Sequence, residues 1–135
     1  MTSSRFIKGM ETLRKVDPIV ADTIMGAMKD VFPDMARMTI EFGFGEVMSR
    51  EGLDLRTREL LNVAMLGAMG NSATQLEMHV KGALNTGSTK EEILEVILQI
   101  AAYAGFPAAY NALATARKVF DSMPQTAVES EQAAA

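Results

Sequence analysis

Residues 55–85 read LRTRELLNVAMLGAMGNSATQLEMHVKGALN, and this stretch decides the fold because it contains two helix signals and the turn between them. Between Asn62 and Gly70 there is no polar side chain, which predicts a helix over roughly 55–69 that is buried on all sides. Asp54 is a candidate N-cap for that helix, and Gly70 can end it in a left-handed conformation. The run from Ser72 to Gln75 then matches the S-x-x-Q capping box, which predicts the start of a second helix.

The only histidine of the chain, His79, falls on the apolar stripe of that second helix. Leu76, His79, Val80 and Ala83 recur at i, i+3, i+4 and i+7, so we expect the imidazole to point inward. With an unperturbed pKa of roughly 6.5, a histidine can take or give a proton near neutral pH. The chain has no cysteine, so thiol chemistry is excluded. A lone histidine on an apolar face is more often structural than catalytic, and the catalytic interpretation therefore needs a partner.

Glu59 is the candidate partner. It lies on the same side of the first helix as Asn62 and Val63, in surroundings with little water. A carboxylate in such a place must find a partner or stay protonated, and His79 can be that partner if the two helices pack antiparallel. In the alternative interpretation, Glu59 is a first-turn acid favoured by the helix dipole, or it pairs with Arg56.

Three arginines, Arg50, Arg56 and Arg58, cluster around the start of the 55–69 helix. Arginines at an opening near a buried histidine and glutamate can hold a substrate carboxylate through paired hydrogen bonds. Arg50 and Arg58 are our candidates for this role, and the alternative is that they are solvated surface charges. Tyr103 is a further candidate for substrate binding, with simple packing as the alternative.

The remaining long segments also have a helical period, which predicts an all-α domain of about six to seven helices over residues 1–123. The glycine-rich stretch 42–53 is expected to end in an irregular loop. The polar segment 124–135 is predicted to be a disordered tail. Further helices are expected around 4–15, after the Asp17-Pro18 cap, from Pro33, over about 90–104 after a capping box at Thr89, and from Pro107 to about 122.

Composition and charge exclude several function classes. The net charge is −4, and no group of Lys and Arg forms the basic stripe that phosphate binding needs, so there is no reason to expect a nucleic-acid partner. One histidine without cysteine cannot form an ordinary zinc site, and the carboxylates lack the spacing of a calcium loop. The sequence shows no signal peptide and no membrane span, so we expect a soluble cytoplasmic protein.

Two helices carry very little polar surface, namely those at about 55–69 and 90–104. A chain of 135 residues cannot be expected to bury that much apolar surface alone, so self-association is predicted.

Four motifs carry a family resemblance: RTREL with Glu59, MHVKGALNTG with His79, TKEEI, and YAGFPAAYNA. With them, residues 53–120 closely resemble the carboxymuconolactone decarboxylase family, and FGFGEVMSREG is a weaker upstream extension. The resemblance implies an all-helical, alkylhydroperoxidase-D-like fold, a homo-oligomer that is a trimer or a hexamer, and no cofactor. It places Glu59 and His79 at the acid and histidine positions of the family.

The resemblance also limits which of the family's reactions this chain is expected to catalyse. The alkylhydroperoxidase-D-like branch uses a Cys-x-x-Cys ahead of the family histidine, whereas this chain has Ser72 and Gln75 there. Serine and glutamine cannot run a disulfide cycle, so the chain is not expected to be a thiol peroxidase. Decarboxylase-type members often carry a tryptophan-containing segment where this chain has FGFGEVMSR, which leaves the substrate open.

The resemblance thus implies cofactor-free decarboxylation of a carboxylated unsaturated lactone such as 4-carboxymuconolactone. In this hypothesis His79 donates the proton, Glu59 orients the His79 side chain, and Arg50 or Arg58 docks the anionic substrate. One alternative keeps the pocket but isomerises, or opens the lactone of, another small acid. The other is a non-catalytic oligomeric binding or scaffold protein, in which Glu59 and His79 are a buried polar pair.

Overall fold

The structure, a computed structural model, describes residues 2–28 and 30–124, and every regular element in that part is helical. The predicted all-α fold is therefore confirmed there. The predicted tail, 124–135, lies outside the described residues apart from Pro124. The elements are α1 (Ser4–Val16), α2 (Val20–Met28), α3 (Pro33–Met38), a π-helical segment (Thr39–Met48), α4 (Leu55–Met69), α5 (Ala73–Asn85), α6 (Lys90–Ala104) and α7 (Phe106–Ser122).

Capping side chains set the ends of α4 and α6 as the sequence predicts. The Asp54 carboxylate accepts a hydrogen bond from the Thr57 N–H at 2.7 Å, which begins α4. Gly70 ends the helix with φ at 77°, a left-handed conformation. At the start of α6, Thr89 and Glu92 form a reciprocal capping box, with their two hydrogen bonds at 3.1 and 2.9 Å.

The start of α5 differs from the prediction, because the expected capping box does not form. The backbone of Ser72 has φ −123° and ψ 38°, whereas the capping residues of α4 and α6 are extended, with ψ near 160°. In this conformation the Ser72 hydroxyl does not cap the helix, and it donates instead to the Asn71 side chain at 3.3 Å.

Two apolar clusters hold the helices together. The large core forms between α4, α5, α6 and α7, and the small core between α1, α2 and the π-helical segment. The side-chain amide of Asn85 in α5 donates to the Val16 carbonyl at 2.9 Å, which ties the two regions together. That residues 1–123 form one domain stays a prediction. The large core includes Val63, Leu76, Val80, Ile93, Ile97 and Ile100, and the small core consists of Leu13, Val16, Ala21, Ile40, Phe44 and Met48.

The π-helical segment is a feature that the sequence did not predict. Its backbone contacts that of α1 directly, because a Cβ at Gly9 would clash with the Ile40 carbonyl and one at Gly45 with the Arg5 carbonyl. The irregular loop expected within 42–53 begins only after Met48, where the π-helical segment ends. Such wide turns are rare in proteins and often lie near functional sites.

The expectation that α4 is buried on all sides is wrong for the single chain. Val63 and Gly67 face the large core, but Leu61, Met65 and Met69 are 44%, 56% and 64% exposed. The reason is that α5, α6 and α7 cover only one side of α4. Within residues 2–28 and 30–124, no helix is both long and apolar enough to cross a lipid bilayer.

A carboxylate in the π-helical segment, Glu41, connects it to α1 and α3. It accepts hydrogen bonds from the Ser3 hydroxyl and, at 2.7 Å, from Arg37, which also pairs with Asp34 at 3.3 Å. The Ser3 hydrogen bond holds the pKa of Glu41 below its ordinary value, with the Arg37 charge adding to the effect and burial opposing it. The folded chain therefore favours the ionised form of Glu41.

We expect Glu41→Gln to make the stability of the fold less dependent on pH on the acid side. A carboxyl whose pKa is lower in the folded chain stabilises the fold above its unfolded pKa, near 4.5, and this contribution disappears as pH falls through the folded value. Melting temperatures followed by circular dichroism from about pH 7 to about pH 3 should therefore fall more steeply for wild type than for the variant. Glu95→Gln, at an exposed position on α6, is the matched control. Parallel curves for wild type and Glu41→Gln would contradict the expectation.

Candidate active site

The packing of α4 against α5 brings Glu59 and His79 into direct contact. The Glu59 Oε2 atom lies 2.8 Å from Nδ1 of His79. The Glu59 side chain is fully buried, and 14% of the His79 side chain is exposed. Since an ionised carboxylate only accepts hydrogen bonds, we assign the shared proton to Nδ1. Nε2 is then the ring nitrogen left for a substrate.

The second oxygen of Glu59 makes the pair unusual. Oε1 is buried, and among the residues that the structure describes it has no hydrogen-bond partner. Removing a carboxylate from water costs free energy unless a hydrogen-bond partner compensates for the lost water contacts. The hydrogen bond to His79 is therefore the main compensation that Glu59 receives.

Two further residues beside the pair were not predicted as site residues. Asn62 lies one turn after Glu59 on the same face of α4, and its Nδ2 is 3.4 Å from Nδ1 of His79. The same amide nitrogen is 3.4 Å from the sulfur of Met48, at the end of the π-helical segment. The i, i+3 spacing from Glu59 was the available signal for Asn62, whereas the Met48 contact depends on tertiary packing.

Gly82 is the third unpredicted residue. It follows His79 by one turn of α5, and a Cβ built on it would lie 2.6 Å from Oε2 of Glu59 and 2.5 Å from Cγ1 of Val16. The absence of a side chain at this point gives the carboxylate room between α4, α5 and α1. A glycine inside the predicted helix was the signal available in the sequence.

The arginines lie near the start of α4 but do not reach the pair. Arg56 pairs with Glu92, so the alternative in which it pairs with Glu59 is wrong. Arg58 donates to the Arg50 carbonyl at 3.3 Å, and its buried Nε has no partner within the described part of the chain. Arg50 is exposed and lines a surface cavity of about 450 Å³ together with residues of α1. The docking role of Arg50 or Arg58 stays a prediction.

Tyr103 lies on a different surface. Its side chain is 89% exposed and lines an apolar groove of about 440 Å³ between α4 and α6, and His79 is not part of that lining. A role of Tyr103 in substrate binding stays a prediction. In residues 2–28 and 30–124 there is no group of three or more acidic, histidine or cysteine side chains suited to holding a metal ion.

Comparisons with known proteins give one family model and several relatives. The model of the carboxymuconolactone decarboxylase family matches residues 33–118, which include Glu59 and His79. An uncharacterised 15.0 kDa protein of Paracoccus denitrificans is 38% identical over 113 residues, covering 83% of this chain and 84% of that protein. The 4-carboxymuconolactone decarboxylase of Acinetobacter baylyi is 38% identical over 96 residues, 71% of each chain. The nitrosuccinic acid decarboxylase npaB of Metarhizium robertsii is 36% identical over 84 residues, 62% of this chain and 57% of that protein.

The dependence of Glu59 on His79 predicts a non-additive pair of substitutions. His79→Leu leaves the buried carboxylate without its hydrogen bond and should lower the free energy of unfolding by about 3–5 kcal/mol. Adding Glu59→Leu removes the uncompensated carboxylate and should restore most of that loss. Urea denaturation at one fixed protein concentration measures both. A double variant less stable than His79→Leu would show that Glu59 does not depend on the imidazole.

Proposed function

The chain belongs to the carboxymuconolactone decarboxylase family, and from this premise we propose that it decarboxylates a small carboxylic acid without a cofactor. His79 is the proton donor and Glu59 orients it. The observation that carries the proposal is the 2.8 Å hydrogen bond between the buried Glu59 carboxylate and Nδ1 of His79. This contact fixes the ring so that the other nitrogen, Nε2, delivers the proton to the reacting carbon.

The substrate class follows from what the reaction needs. Decarboxylation is feasible without a cofactor when the electron pair left behind is conjugated with an electron-withdrawing group. The compounds in the names of two relatives, a carboxymuconolactone and a nitrosuccinic acid, both have such a group, a lactone carbonyl or a nitro group. We take a carboxylated unsaturated lactone of the 4-carboxymuconolactone type as the substrate, because residues 53–120 resemble the branch that lacks the Cys-x-x-Cys motif.

The proposed reaction has one bond-breaking and one bond-forming event. The bond between the carboxylate and the ring carbon breaks, and carbon dioxide leaves. The electron pair of the broken bond stays on the ring and moves through the double bond onto the lactone carbonyl, which gives a dienolate. The imidazolium of His79 then gives its Nε2 proton to carbon, and water later restores that proton. Arg50 or Arg58 is proposed to dock the anionic substrate, since guanidinium groups bind carboxylates through paired hydrogen bonds.

We expect His79→Gln to lower the turnover of 4-carboxymuconolactone by about 10²–10⁴-fold, the range typical of a positioned proton donor. Glutamine retains an N–H group for Glu59 but has no proton to deliver at neutral pH. The measurement is the loss of the substrate's ultraviolet absorbance, with Thr74→Ala, an exposed change on the same helix, as the control.

Three results would overturn the proposal. Undiminished turnover in His79→Gln removes His79 from the mechanism. Wild-type turnover of other lactones or unsaturated acids without release of carbon dioxide favours an isomerase or a lactone hydrolase. Absence of turnover in a broad screen of such acids favours the non-catalytic binding or scaffold protein.

We further propose that the chain works as a homo-oligomer, a trimer or a hexamer, in the cytoplasm. Support comes from the apolar side chains that α4, α6 and α7 leave exposed on one chain. Among them Leu98 of α6 is 62% exposed and borders an apolar groove between α6 and α7. A surface of this kind is typical of a protein interface.

Light scattering after size exclusion should give a wild-type mass well above the 14.6 kDa of one chain. Leu98→Glu should shift that mass towards the single chain, because it places a charge in the apolar surface. Ile7→Glu, a matched change at a half-exposed position of α1, is the control. A monomeric wild-type protein would contradict the oligomer.

A further inference from the structure

We propose that Gly82 is a positioning residue, and that its missing side chain determines which nitrogen of His79 carries the proton. The structural part of this proposal stands on the geometry of α4, α5 and α1. Its consequence for catalysis rests on the proposed function.

Gly82 leaves a space open beside Glu59 and Val16. A Cβ here would lie 2.6 Å from Oε2 of Glu59, the oxygen that contacts His79, and 2.5 Å from Cγ1 of Val16. Both distances are well below ordinary contact between such atoms, so an alanine at this position forces one neighbour to move. A glycine inside a helix is less favourable than an alanine, but at Gly82 it leaves the position clear of a side chain.

An alanine at position 82 would displace either Val16 or Glu59. Val16 is fully buried in the small core, where it packs with Leu13, and a β-branched side chain has little rotameric freedom. Glu59 is longer, and among the described residues only its Oε2 has a hydrogen-bond partner, so His79 alone holds the carboxylate in place. The carboxylate is therefore the group that yields, and its displacement removes Oε2 from Nδ1 of His79.

Displacement of the carboxylate changes which polar group lies beside the His79 ring. After the carboxylate moves, the nearest polar group is the side-chain amide of Asn62, whose Nδ2 is 3.4 Å from Nδ1. An amide nitrogen only donates hydrogen bonds, so it favours an Nδ1 without a proton. Gly82→Ala should thus convert the neutral imidazole from the Nδ1–H tautomer to the Nε2–H tautomer.

Nitrogen-15 NMR of the imidazole tests this directly, since His79 is the only histidine and its ring signals need no assignment. At a pH at which the ring is neutral, the wild-type spectrum should report Nδ1–H and that of Gly82→Ala should report mainly Nε2–H. Gly26→Ala is the matched control, because it adds the same methyl group to α2, where a Cβ meets nothing within 4 Å.

A second variant covers the case in which Gly82→Ala does not fold. Gly82→Ala combined with Val16→Ala relieves the contact with Val16 and leaves only the one with Glu59, so it should show the same Nε2–H tautomer. Persistence of Nδ1–H in either folded variant would show that the carboxylate keeps its place, and the proposal would be overturned.

The catalytic consequence has its own readout. Gly82→Ala should lower kcat by about 10²-fold with little change in KM, because the displaced carboxylate no longer orients the proton donor and a misplacement of about 1 Å has an effect of this size. The tautomer is measured without substrate, so the two proposals can fail separately. A tautomer change in a protein without decarboxylase activity supports the positioning role and rejects the proposed function.

Discussion

The structure depends on a buried negative charge that one contact must compensate. Glu59 is fully enclosed, only one of its oxygens has a partner among the described residues, and that partner is the imidazole of His79. Taking a carboxylate out of water costs several kcal/mol, so this geometry persists only while the packing around it holds the two side chains together. Gly82 of α5 leaves the room that the carboxylate occupies, since a Cβ there would lie 2.6 Å from its Oε2 atom.

The site also links two parts of the chain that have separate apolar clusters. Asn62 contacts both His79 and Met48, and Met48 belongs to the small core at the end of the π-helical segment. Met48 lies in FGFGEVMSR, the segment in which this chain departs from the pattern of decarboxylase-type members. A side-chain change at Met48 would therefore reach the surroundings of His79 through Asn62.

Much of this arrangement could be predicted from the sequence because it rests on local signals. Asp54, Gly70 and Thr89 act within one helical turn, and the apolar period placed Glu59 and His79 on facing stripes. Gly82 and the π-helical segment escaped prediction because their geometry comes from contacts with α1, far away in sequence. Ser72 has the right residue type for a cap but the wrong backbone conformation, and the exposure of α4 depends on which faces its neighbours cover.

A crystal structure with a saturated, carboxylated lactone that cannot lose carbon dioxide tests the central claim most directly. The account predicts that the carbon to be protonated lies within about 3–3.5 Å of Nε2 of His79, with Glu59 still bound to Nδ1. A ligand seated in the groove beside Tyr103, with His79 untouched, would contradict it.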